Sequence, residues 1–425
     1  MIIKSFLVTG TKGKTSVVTI INHLFGKDYS KLMVSSDGVF LNDKLIASYN
    51  QSLINFGYSP NVTPGRYVRY NFFRTESETV FLNKLKFAIL ESGLTCGRKG
   101  TGVEEYTPDG LHDVGIFTNV YEDHINYTTI KDREDIYKMK SFIFEKLKPA
   151  GTYIASLDND YTLKSFSEKT VKDKNLYKIG ITQIINDTNH LKLTQTRLDL
   201  QDIVYIKNEQ IWSLKLGLIS RLSNFRYYFG KTDSGIIQSL MCAIAACMEY
   251  VEAKNLKKRI KSFKFKITNG RFIVFQKNDQ IIVVDYAHEI ESLRMLIESV
   301  SYKFKSKPSV ITRVAPDRTD QFIKEFAINL SKLKNVKKLI IYDKVKFGTI
   351  KNYSWGQRKH GDSATMLYSE IQKHQPKFDL QLSLQSEANI LKQTISQGHK
   401  LIIHIYNDIK SVIKILRQED FRRIL

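Results

Sequence analysis

The N-terminal segment restricts the fold of this chain most, because it combines a short apolar run, a glycine-rich loop and a helical pattern. The run Phe6 to Thr9 predicts a buried strand, and the amphipathic stretch from Ser16 to Phe25 predicts a helix. Between them lie Gly10 and Gly13, followed at once by a lysine and a threonine. A glycine loop that links a strand to a helix in this way is typical of a phosphate-binding loop. The sequence therefore predicts a nucleotide-phosphate site near its N-terminus.

Each residue type in this loop suits contact with a triphosphate. The glycines allow the backbone N–H groups to face phosphate oxygens, and the start of the helix adds a partial positive charge. Lys14 is expected to reach the β- and γ-phosphates, and the Thr15 hydroxyl is expected to hold Mg²⁺. One position departs from the strict pattern, because Val8 stands where a glycine is usual. The residues assigned to ATP are Gly10, Thr11, Lys12, Gly13, Lys14, Thr15 and Ser16.

The rest of the chain predicts an α/β protein of two or three domains, which suits its 425 residues. Short β-branched runs alternate with helical patterns, as expected for parallel sheets covered by helices. Residues 170–230 are more polar and alternating, which predicts a small antiparallel β insertion. The predicted domains are a P-loop, ATPase-type central domain over 1–266 and a Rossmann-like domain over 267–425. The lysine-rich stretch at about 254–266 marks the boundary between them.

Composition narrows the class of protein further. The apolar fraction of 42% and the charged fraction of 25% are ordinary for a globular protein. No apolar run approaches the ~20 residues that span a bilayer, and the N-terminus lacks a signal-peptide pattern. We therefore expect a cytoplasmic protein that does not enter membranes. The three cysteines, Cys96, Cys242 and Cys247, form no C-x-x-C pair and are expected to be buried and inert.

The net charge of +22 is compatible with three interpretations. It could indicate nucleic-acid binding, a surface suited to ATP and an acidic substrate, or only a lysine-rich composition. The basic residues are spread along the chain, so charge alone does not favour nucleic acid.

Three segments downstream of the loop decide between the classes of P-loop protein. They are Leu90 to Gly93, Phe117 to His124 and Asp285 to His288. Together with the loop, and in this order, they resemble the motifs of the Mur ligases. That superfamily includes the muramyl peptide ligases, folylpolyglutamate synthase and the ligase half of cyanophycin synthetase. The resemblance implies an ATP-dependent ligase that activates a carboxylate as an acyl phosphate, joins it to an amine and releases ADP and phosphate.

The sequence resembles the C-terminal Mur-ligase-like module of cyanophycin synthetase most, over nearly its whole length. Further segments carry this likeness: Ser35 to Phe40, Arg98 to Gly100, Ala315 to Asp320 and Arg358 to Asp362. By resemblance, the acceptor is a carboxylate compound such as an acidic peptide, and the attacking amine belongs to an amino acid.

The resemblance also assigns a metal and catalytic set. It places Mg²⁺ on Glu91 and His124, beside Thr15. It implies that Lys140 is carbamylated, which requires a lysine that loses its proton through burial. The catalytic residues expected on this basis are Lys14, Glu91, His124 and Lys140.

The nucleotide contacts expected from the later motifs are Asn119, Arg271, Asp285 and His288. Departures from the family pattern occur at Lys12, where asparagine is usual, and at Glu289. Gln238 and Ser239 also stand where the family has an adenine-contacting asparagine. The resemblance therefore implies triphosphate binding, without fixing adenine as the base.

The substrate contacts expected by resemblance are Ser36 and Asp37 for the acceptor, and Asp317 and Arg318 for the amino acid. Three alternatives to the acidic-peptide ligase remain open. The first is a cell-wall peptide ligase of muramyl or pseudomurein type. The second is a catalytically degenerate nucleotide-binding partner protein. The third is a P-loop protein that acts on nucleic acid.

Overall fold

The computed structural model of the chain describes most of its residues. The described residues are 4–47, 85–92, 111–121, 130–183, 188–231, 234–266, 270–287, 289–314, 319–343, 349–350 and 358–425. They fall into two compact units. The first contains the described residues up to Tyr121 together with 132–228 and 235–263. The second contains the described residues of 229–234 and 264–425, with Ile130 and Lys131.

The first unit is built on an eleven-stranded sheet. Its strands are β1 (Lys4–Thr9), β2 (Lys31–Ser35), β3 (Gly38–Leu41), β4 (Lys44–Ala47), β5 (Phe87–Glu91), β6 (His112–Phe117), β7 (Leu147–Ser156), β8 (Tyr177–Thr182), β9 (Asp202–Lys207), β10 (Gln210–Ser213) and β11 (Gly217–Arg221). Their order in the sheet is β11-β10-β9-β8-β7-β6-β1-β5-β2-β3-β4. The seven neighbouring strands β9-β8-β7-β6-β1-β5-β2 are parallel to one another. At the two edges of the sheet, β3, β4, β10 and β11 pair antiparallel with their neighbours. β1 therefore lies inside the parallel part, which explains why its residues after Lys4 are all buried.

The helices of the first unit follow the predicted alternation. They are α1 (Lys14–Leu24), α2 (Arg133–Lys140), α3 (Phe142–Glu145), α4 (Asp160–Ser165), α5 (Lys169–Asp173), α6 (Thr188–Leu198), α7 (Gly235–Cys247) and α8 (Ala253–Ser262), with a 3₁₀ turn at Leu222–Asn224. α1 buries Val17, Ile20, Ile21 and Leu24 at helical spacing, and it packs against α7. In the described part of the chain, no helix combines the length and the apolar composition needed to cross a bilayer.

The region 170–230 differs from its predicted structure in two respects, because it contains a helix and because its first strand pair, β8 with β9, is parallel. The antiparallel strands are present as β9, β10 and β11, and they extend the large sheet. However, Leu191 to Thr194, which alternate like a strand in the sequence, lie in α6. β8 and β9 are parallel, so α6 is the crossover that a parallel pair requires.

An aromatic cluster packs against the sheet at the end opposite to the glycine loop. Phe25 stacks on Phe87 with ring centroids 4.0 Å apart, and Phe6 and Tyr250 meet them edge to face. The two cysteines of α7, Cys242 and Cys247, are buried free thiols, and burial raises the pKa of both. They agree with the predicted inert cysteines, whereas Cys96 lies outside the described residues.

The second unit contains the Rossmann-like sheet that the sequence predicts. Its strands are β12 (Ile273–Lys277), β13 (Gln280–Asp285), β14 (Ser309–Val314), β15 (Lys338–Asp343), β16 (Thr349–Ile350), β17 (Arg358–Lys359), β18 (Asp379–Ser383), β19 (Leu401–Ile405) and β20 (Arg422–Arg423). Seven of them form a sheet in the order β18-β15-β14-β19-β13-β12-β20, and β16 pairs with β17. The helices are α9 (Ile290–Phe304), α10 (Asp320–Ser331), α11 (Asp362–Lys373), α12 (Glu387–Ser396) and α13 (Ile409–Gln418). The five strands from β18 to β13 are parallel.

The second unit also takes a short segment that precedes α7 in the chain. Phe229 is 4% exposed, and its ring lies 5.0 Å from Phe272 and 5.9 Å from Phe304. Lys231 pairs with Glu298 of α9 at 3.4 Å. The chain therefore enters the second unit near residue 229, returns to the first for α7 and α8, and leaves it again near residue 264.

Candidate active site

Four strands of the first sheet end together where the predicted site residues lie. Ser36 follows β2, Glu91 ends β5, the glycine loop follows β1, and Asn119 follows β6. These strands are neighbours in the order β6-β1-β5-β2 and run parallel. Ligands of open α/β sheets bind at the carboxyl ends of the strands, where the order of connections reverses. The fold thus brings four separate segments to one edge.

The glycine loop bends tightly around the end of β6. Gly10 has a φ of 132°, and a Cβ built on it would lie 2.0 Å from Thr118 Oγ1. Gly13 has a φ of 80°, and its Cβ would lie 2.9 Å from Ser239 Oγ. Both positions need glycine for the backbone conformation and for the lack of space. The departure at Val8 lies outside the loop, because Val8 belongs to β1 and is the register partner of Glu91.

The residues that follow β6 and one residue of α7 hold this loop in shape. Asn119 accepts hydrogen bonds from the Thr11 backbone N–H (2.9 Å, through its carbonyl) and the Lys12 backbone N–H (2.8 Å, through Oδ1). Thr118 Oγ1 donates to the Lys12 carbonyl at 2.7 Å. Gln238 of α7 accepts from Asn119 Nδ2 at 3.1 Å and donates to Ser156 Oγ at 3.0 Å. We will call Thr118, Asn119 and Gln238 the loop brace.

The brace changes the role that two loop residues are expected to play. The backbone N–H groups of Thr11 and Lys12 point to Asn119, so they serve the shape of the loop. α1 begins at Lys14, and the first N–H groups of a helix have no acceptor within it. A phosphate is therefore expected to contact N–H groups at the start of α1. Gln238 and Ser239 hydrogen-bond inside the unit, Ser239 to the Gly235 carbonyl at 2.8 Å.

Lys14 rests on its own loop. Its Nζ donates to the Gly10 carbonyl at 2.9 Å and to the Thr11 carbonyl at 3.0 Å. An ammonium group has three donors on a flexible stem, so it can exchange a carbonyl for a phosphate oxygen at little cost. This places the cation at the loop before any phosphate is bound.

Glu91 gathers hydroxyl groups from both neighbouring segments. The carboxylate is 5% exposed and accepts from Thr15 Oγ1 at 3.0 Å, from Ser36 Oγ at 2.8 Å and from the Ser36 backbone N–H at 2.9 Å. One carboxylate and two hydroxyls make a set of oxygen donors, which is the chemistry that Mg²⁺ prefers. Within the described residues, no three His, Cys, Asp or Glu side chains stand close enough to hold a metal ion by themselves. Glu91, Thr15 and Ser36 therefore fit a site that is completed by ligands of another kind, such as phosphate oxygens or water.

Of the two other predicted metal residues, the structure describes Lys140 but not His124. Lys140 ends α2, and its side chain is 2% exposed, which satisfies the burial that carbamylation requires. Its ligand role stays a prediction. His124 lies outside the described residues.

In the second unit, the predicted nucleotide residues Arg271 and Asp285 lie close together. Asp285 ends β13 and accepts from the backbone N–H groups of Phe272 (2.7 Å) and Ala287 (2.8 Å). Burial raises the pKa of Asp285, while the charge of Arg271 and these hydrogen bonds act in the opposite direction. The Arg271 guanidinium lies over the Tyr286 ring, 4.9 Å from its centroid.

The predicted substrate residues have different outcomes. The Ser36 hydroxyl donates to the Glu91 carboxylate, and the Asp37 backbone N–H donates to Ser35 Oγ at 3.2 Å. Asp317, Arg318 and His288 lie outside the described residues. Thr118 and Gln238 were not predicted as site residues. The position of Thr118 at the end of a buried strand was a usable signal, whereas nothing local to Gln238 indicates a partner in the loop.

Replacing Gly10 with alanine is expected to abolish nucleotide binding. The new Cβ would collide with Thr118 Oγ1, and the φ of 132° is unfavourable for any side chain. Gly217 is a matched control, because it also has a positive φ (75°) but has nothing within 4 Å of its Cβ position. Calorimetric titration with ATP and Mg²⁺ measures the effect. Wild-type affinity in Gly10→Ala, or an equal loss in Gly217→Ala, would contradict the assignment of the loop.

The chain is similar to known proteins in sequence and in fold. The family model described as Mur ligase middle domain matches residues 8–224, just over half of the chain. Cyanophycin synthetase of Geminocystis herdmanii is 25% identical over 294 residues, which cover 66% of this chain and 29% of that protein. UDP-N-acetylmuramoyl-L-alanyl-D-glutamate–2,6-diaminopimelate ligase of Fusobacterium nucleatum is 24% identical over 291 residues, 67% of this chain and 50% of that protein. The chain thus matches less than a third of the length of the cyanophycin synthetase.

Solved structures share the fold along nearly the whole chain. E. coli FolC in complex with DHPP and ADP superposes with a TM-score of 0.63 at 14% identity and covers 98% of this chain and 89% of its own. MurF from Acinetobacter baumannii gives a TM-score of 0.61 at 12% identity, covering 98% and 77%. At such identities the likeness concerns the fold alone. The matched segment contains the glycine loop, Glu91 and two members of the loop brace, Thr118 and Asn119, and on this match the chain belongs to the Mur ligase middle domain family.

Proposed function

We propose that this protein is an ATP-dependent ligase that forms an amide bond between a substrate carboxylate and an amino-acid amine. A carboxylate oxygen would attack the γ-phosphorus of ATP, the bond to ADP would break, and an acyl phosphate would form. The amine would then attack the acyl carbon, lose a proton and displace phosphate. The products would be the amide, ADP and inorganic phosphate.

One observation carries this proposal: Glu91 joins the phosphate loop, through Thr15, to the segment after β2, through Ser36. A carboxylate beside the start of a phosphate-binding helix would repel a phosphate but attract a cation, so we expect a cation between the two. The cation would supply charge neutralisation for two anions, the triphosphate and the substrate carboxylate. The residues that would hold it are Thr15 and Glu91, with His124 and a carbamylated Lys140 as further ligands by resemblance.

The chain's own groups would then bind and orient the reactants. Lys14 would exchange its loop carbonyls for phosphate oxygens, and the first-turn N–H groups of α1 would add donors. The loop brace would keep these donors in place, which reduces the reorganisation needed when charge develops. In the second unit, Arg271 and Asp285 would contact the nucleotide, and Asp317 and Arg318 the amino acid. The proposed division of labour follows the predicted domains, 1–266 and 267–425.

For the acceptor, we propose an acidic peptide or a related polycarboxylate, and we expect the reaction in the cytoplasm. The net charge of +22 supports an anionic acceptor, because it raises the local concentration of anions around the protein. The similarity to cyanophycin synthetase supports a peptide product.

The products provide the direct test. The protein is incubated with ATP, Mg²⁺, single amino acids and short aspartate- or glutamate-rich peptides. For each amide bond formed, the reaction should release one ADP and one phosphate. Mass spectrometry identifies the amide, and chromatography separates the nucleotides. AMP and pyrophosphate as products would contradict the acyl phosphate route. Binding of ATP with no turnover under any condition would favour the degenerate partner protein.

A cell-wall peptide ligase is the second candidate, because muramyl ligases also match two thirds of the chain. The same assay with UDP-muramyl peptides as acceptors separates the two. A rate on these acceptors above that on acidic peptides would favour the cell-wall role. Hydrolysis of ATP that depends on added DNA or RNA would favour the nucleic-acid alternative over both.

A further inference from the structure

One tyrosine of the second unit contacts two guanidinium groups. The Tyr286 ring centroid lies 4.9 Å from the Arg271 guanidinium carbon and 5.2 Å from that of Arg313. Tyr286 is half-buried, whereas Arg313 is fully buried at 0% exposure. A cation over an aromatic face is attracted by the ring quadrupole, and the attraction grows when the pair is shielded from water.

Arg313 in turn is fixed to the chain after β19. Its Nε and Nη2 donate to the Tyr406 carbonyl at 3.2 and 2.9 Å. The Tyr406 ring lies 5.3 Å from Tyr286, and a Cβ on Gly270 would lie 2.2 Å from the Tyr406 hydroxyl. Tyr406 therefore packs both on Tyr286 and on the residue that precedes Arg271. Three strand ends, those of β13, β14 and β19, meet in this stack.

The backbone near Arg271 has a separate anchor. The Phe272 N–H donates to Asp285, and the Tyr406 N–H donates to the Asp285 carbonyl at 3.1 Å. These bonds fix where the Arg271 side chain begins. They do not fix the far end of that side chain, which has four rotatable bonds. The Tyr286 ring contacts that far end.

We propose that Tyr286 is a positioning residue that holds the Arg271 guanidinium in the conformation that contacts the nucleotide, with Arg313 and Tyr406 holding Tyr286. The inference rests on the proposed function, in which Arg271 contacts ATP. It adds a role for Tyr286, Arg313 and Tyr406 that binding of ATP by Arg271 alone would not require. An arginine held in place loses less side-chain entropy on binding, so its contact adds more to affinity.

The experiment is a double-mutant cycle on nucleotide affinity. Binding of the non-hydrolysable analogue AMP-PNP with Mg²⁺ is measured by calorimetry for Tyr286→Leu, Arg271→Ala and the double variant. Tyr286→Leu is expected to weaken binding about five- to tenfold, as for the loss of a partly shielded cation–π contact. Tyr286→Phe retains the ring and should stay within about twofold of wild type. The double variant should bind no more weakly than Arg271→Ala, because Tyr286 acts through Arg271.

Two further variants guard against unfolding. Tyr286→Met keeps much of the side-chain volume without an aromatic face, so it should behave as Tyr286→Leu does. Tyr302→Leu replaces a tyrosine of α9 that is 57% exposed and should leave affinity unchanged. Thermal unfolding of each variant shows whether the second unit is intact.

The outcomes separate this inference from the proposed function. If Arg271→Ala weakens binding but Tyr286→Leu and Tyr286→Met do not, the positioning role is overturned and the ligase proposal stands. A double variant whose loss is the product of the two single losses also overturns it. If the wild-type protein does not bind AMP-PNP, both proposals fall together. If Arg271→Ala binds as wild type does, Tyr286 has no nucleotide contact to position and the inference is overturned.

Discussion

Replacing Lys14 with alanine is expected to lower the rates of amide formation and ATP turnover by a factor on the order of a thousand or more. Lys14 Nζ is held within 3.0 Å of two loop carbonyls, so a cation stands at the loop where the phosphates are expected. Without it, the negative charge that develops during phosphoryl transfer loses a cation at the glycine loop. The measurement is the release of ADP and phosphate under saturating ATP and Mg²⁺.

The same substitution removes two hydrogen bonds from the loop, so a structural loss must be distinguished from a chemical one. Lys14→Met keeps the aliphatic stem and should be as inactive as Lys14→Ala. Lys27→Met is the matched control, because Lys27 lies exposed beyond the other end of α1. Crystals or amide-exchange data that show an intact loop in Lys14→Met would assign the loss to the charge. A variant at Lys14 that retains the wild-type rate would remove the loop from the reaction.

Replacing Glu91 with glutamine is the second change with a large expected effect, about a hundredfold to a thousandfold loss of turnover. The amide keeps the shape of the side chain and one oxygen that can accept from Ser36 and Thr15, but it removes the negative charge. The Mg²⁺ concentration needed for half-maximal rate should rise, because a neutral oxygen is a weaker ligand for a hard cation. The measurement is the rate as a function of Mg²⁺ at fixed ATP.

Two comparisons make this prediction specific to the metal. Binding of ATP in the absence of Mg²⁺ should be unchanged or stronger in Glu91→Gln, because a carboxylate repels the triphosphate. Glu145→Gln removes an exposed carboxylate from α3 and should change neither rate nor Mg²⁺ dependence. An unchanged Mg²⁺ dependence in Glu91→Gln would show that this carboxylate does not hold the metal.

The parts of the site that lie within one strand–loop–helix segment could be predicted from the sequence. Gly10, Gly13 and Lys14 belong to such a segment, and their spacing reflects the geometry of the loop itself. The central strands were also predictable, because strands buried on both faces form continuous apolar runs. The apolar runs Phe87 to Leu90, Val114 to Thr118 and Ile281 to Val284 each predict a buried strand, and they coincide with β5, β6 and β13 within a few residues.

The rest of the site depends on contacts that no local pattern encodes. Gln238 reaches Asn119 across 119 residues, and its side chain gives no sign of that partner in the sequence. Leu191 and Leu193 alternate with polar residues, a pattern typical of a strand, yet they lie in α6. In the structure Leu191 is buried and Leu193 is 71% exposed, so the helix is stabilised by few apolar contacts and has a weak helical pattern. Tertiary context decided both cases.

The segment around Phe229 has a practical consequence for dividing the protein into fragments. A fragment that ends at residue 266 would contain Phe229 but lack Phe272 and Phe304, the rings against which it packs. A fragment that begins at 267 would in turn expose those two rings. Apolar surface uncovered in this way promotes aggregation. The two halves should therefore be produced in the same cell, so that each can cover the other as it folds, and neither is a good starting point for crystallisation by itself.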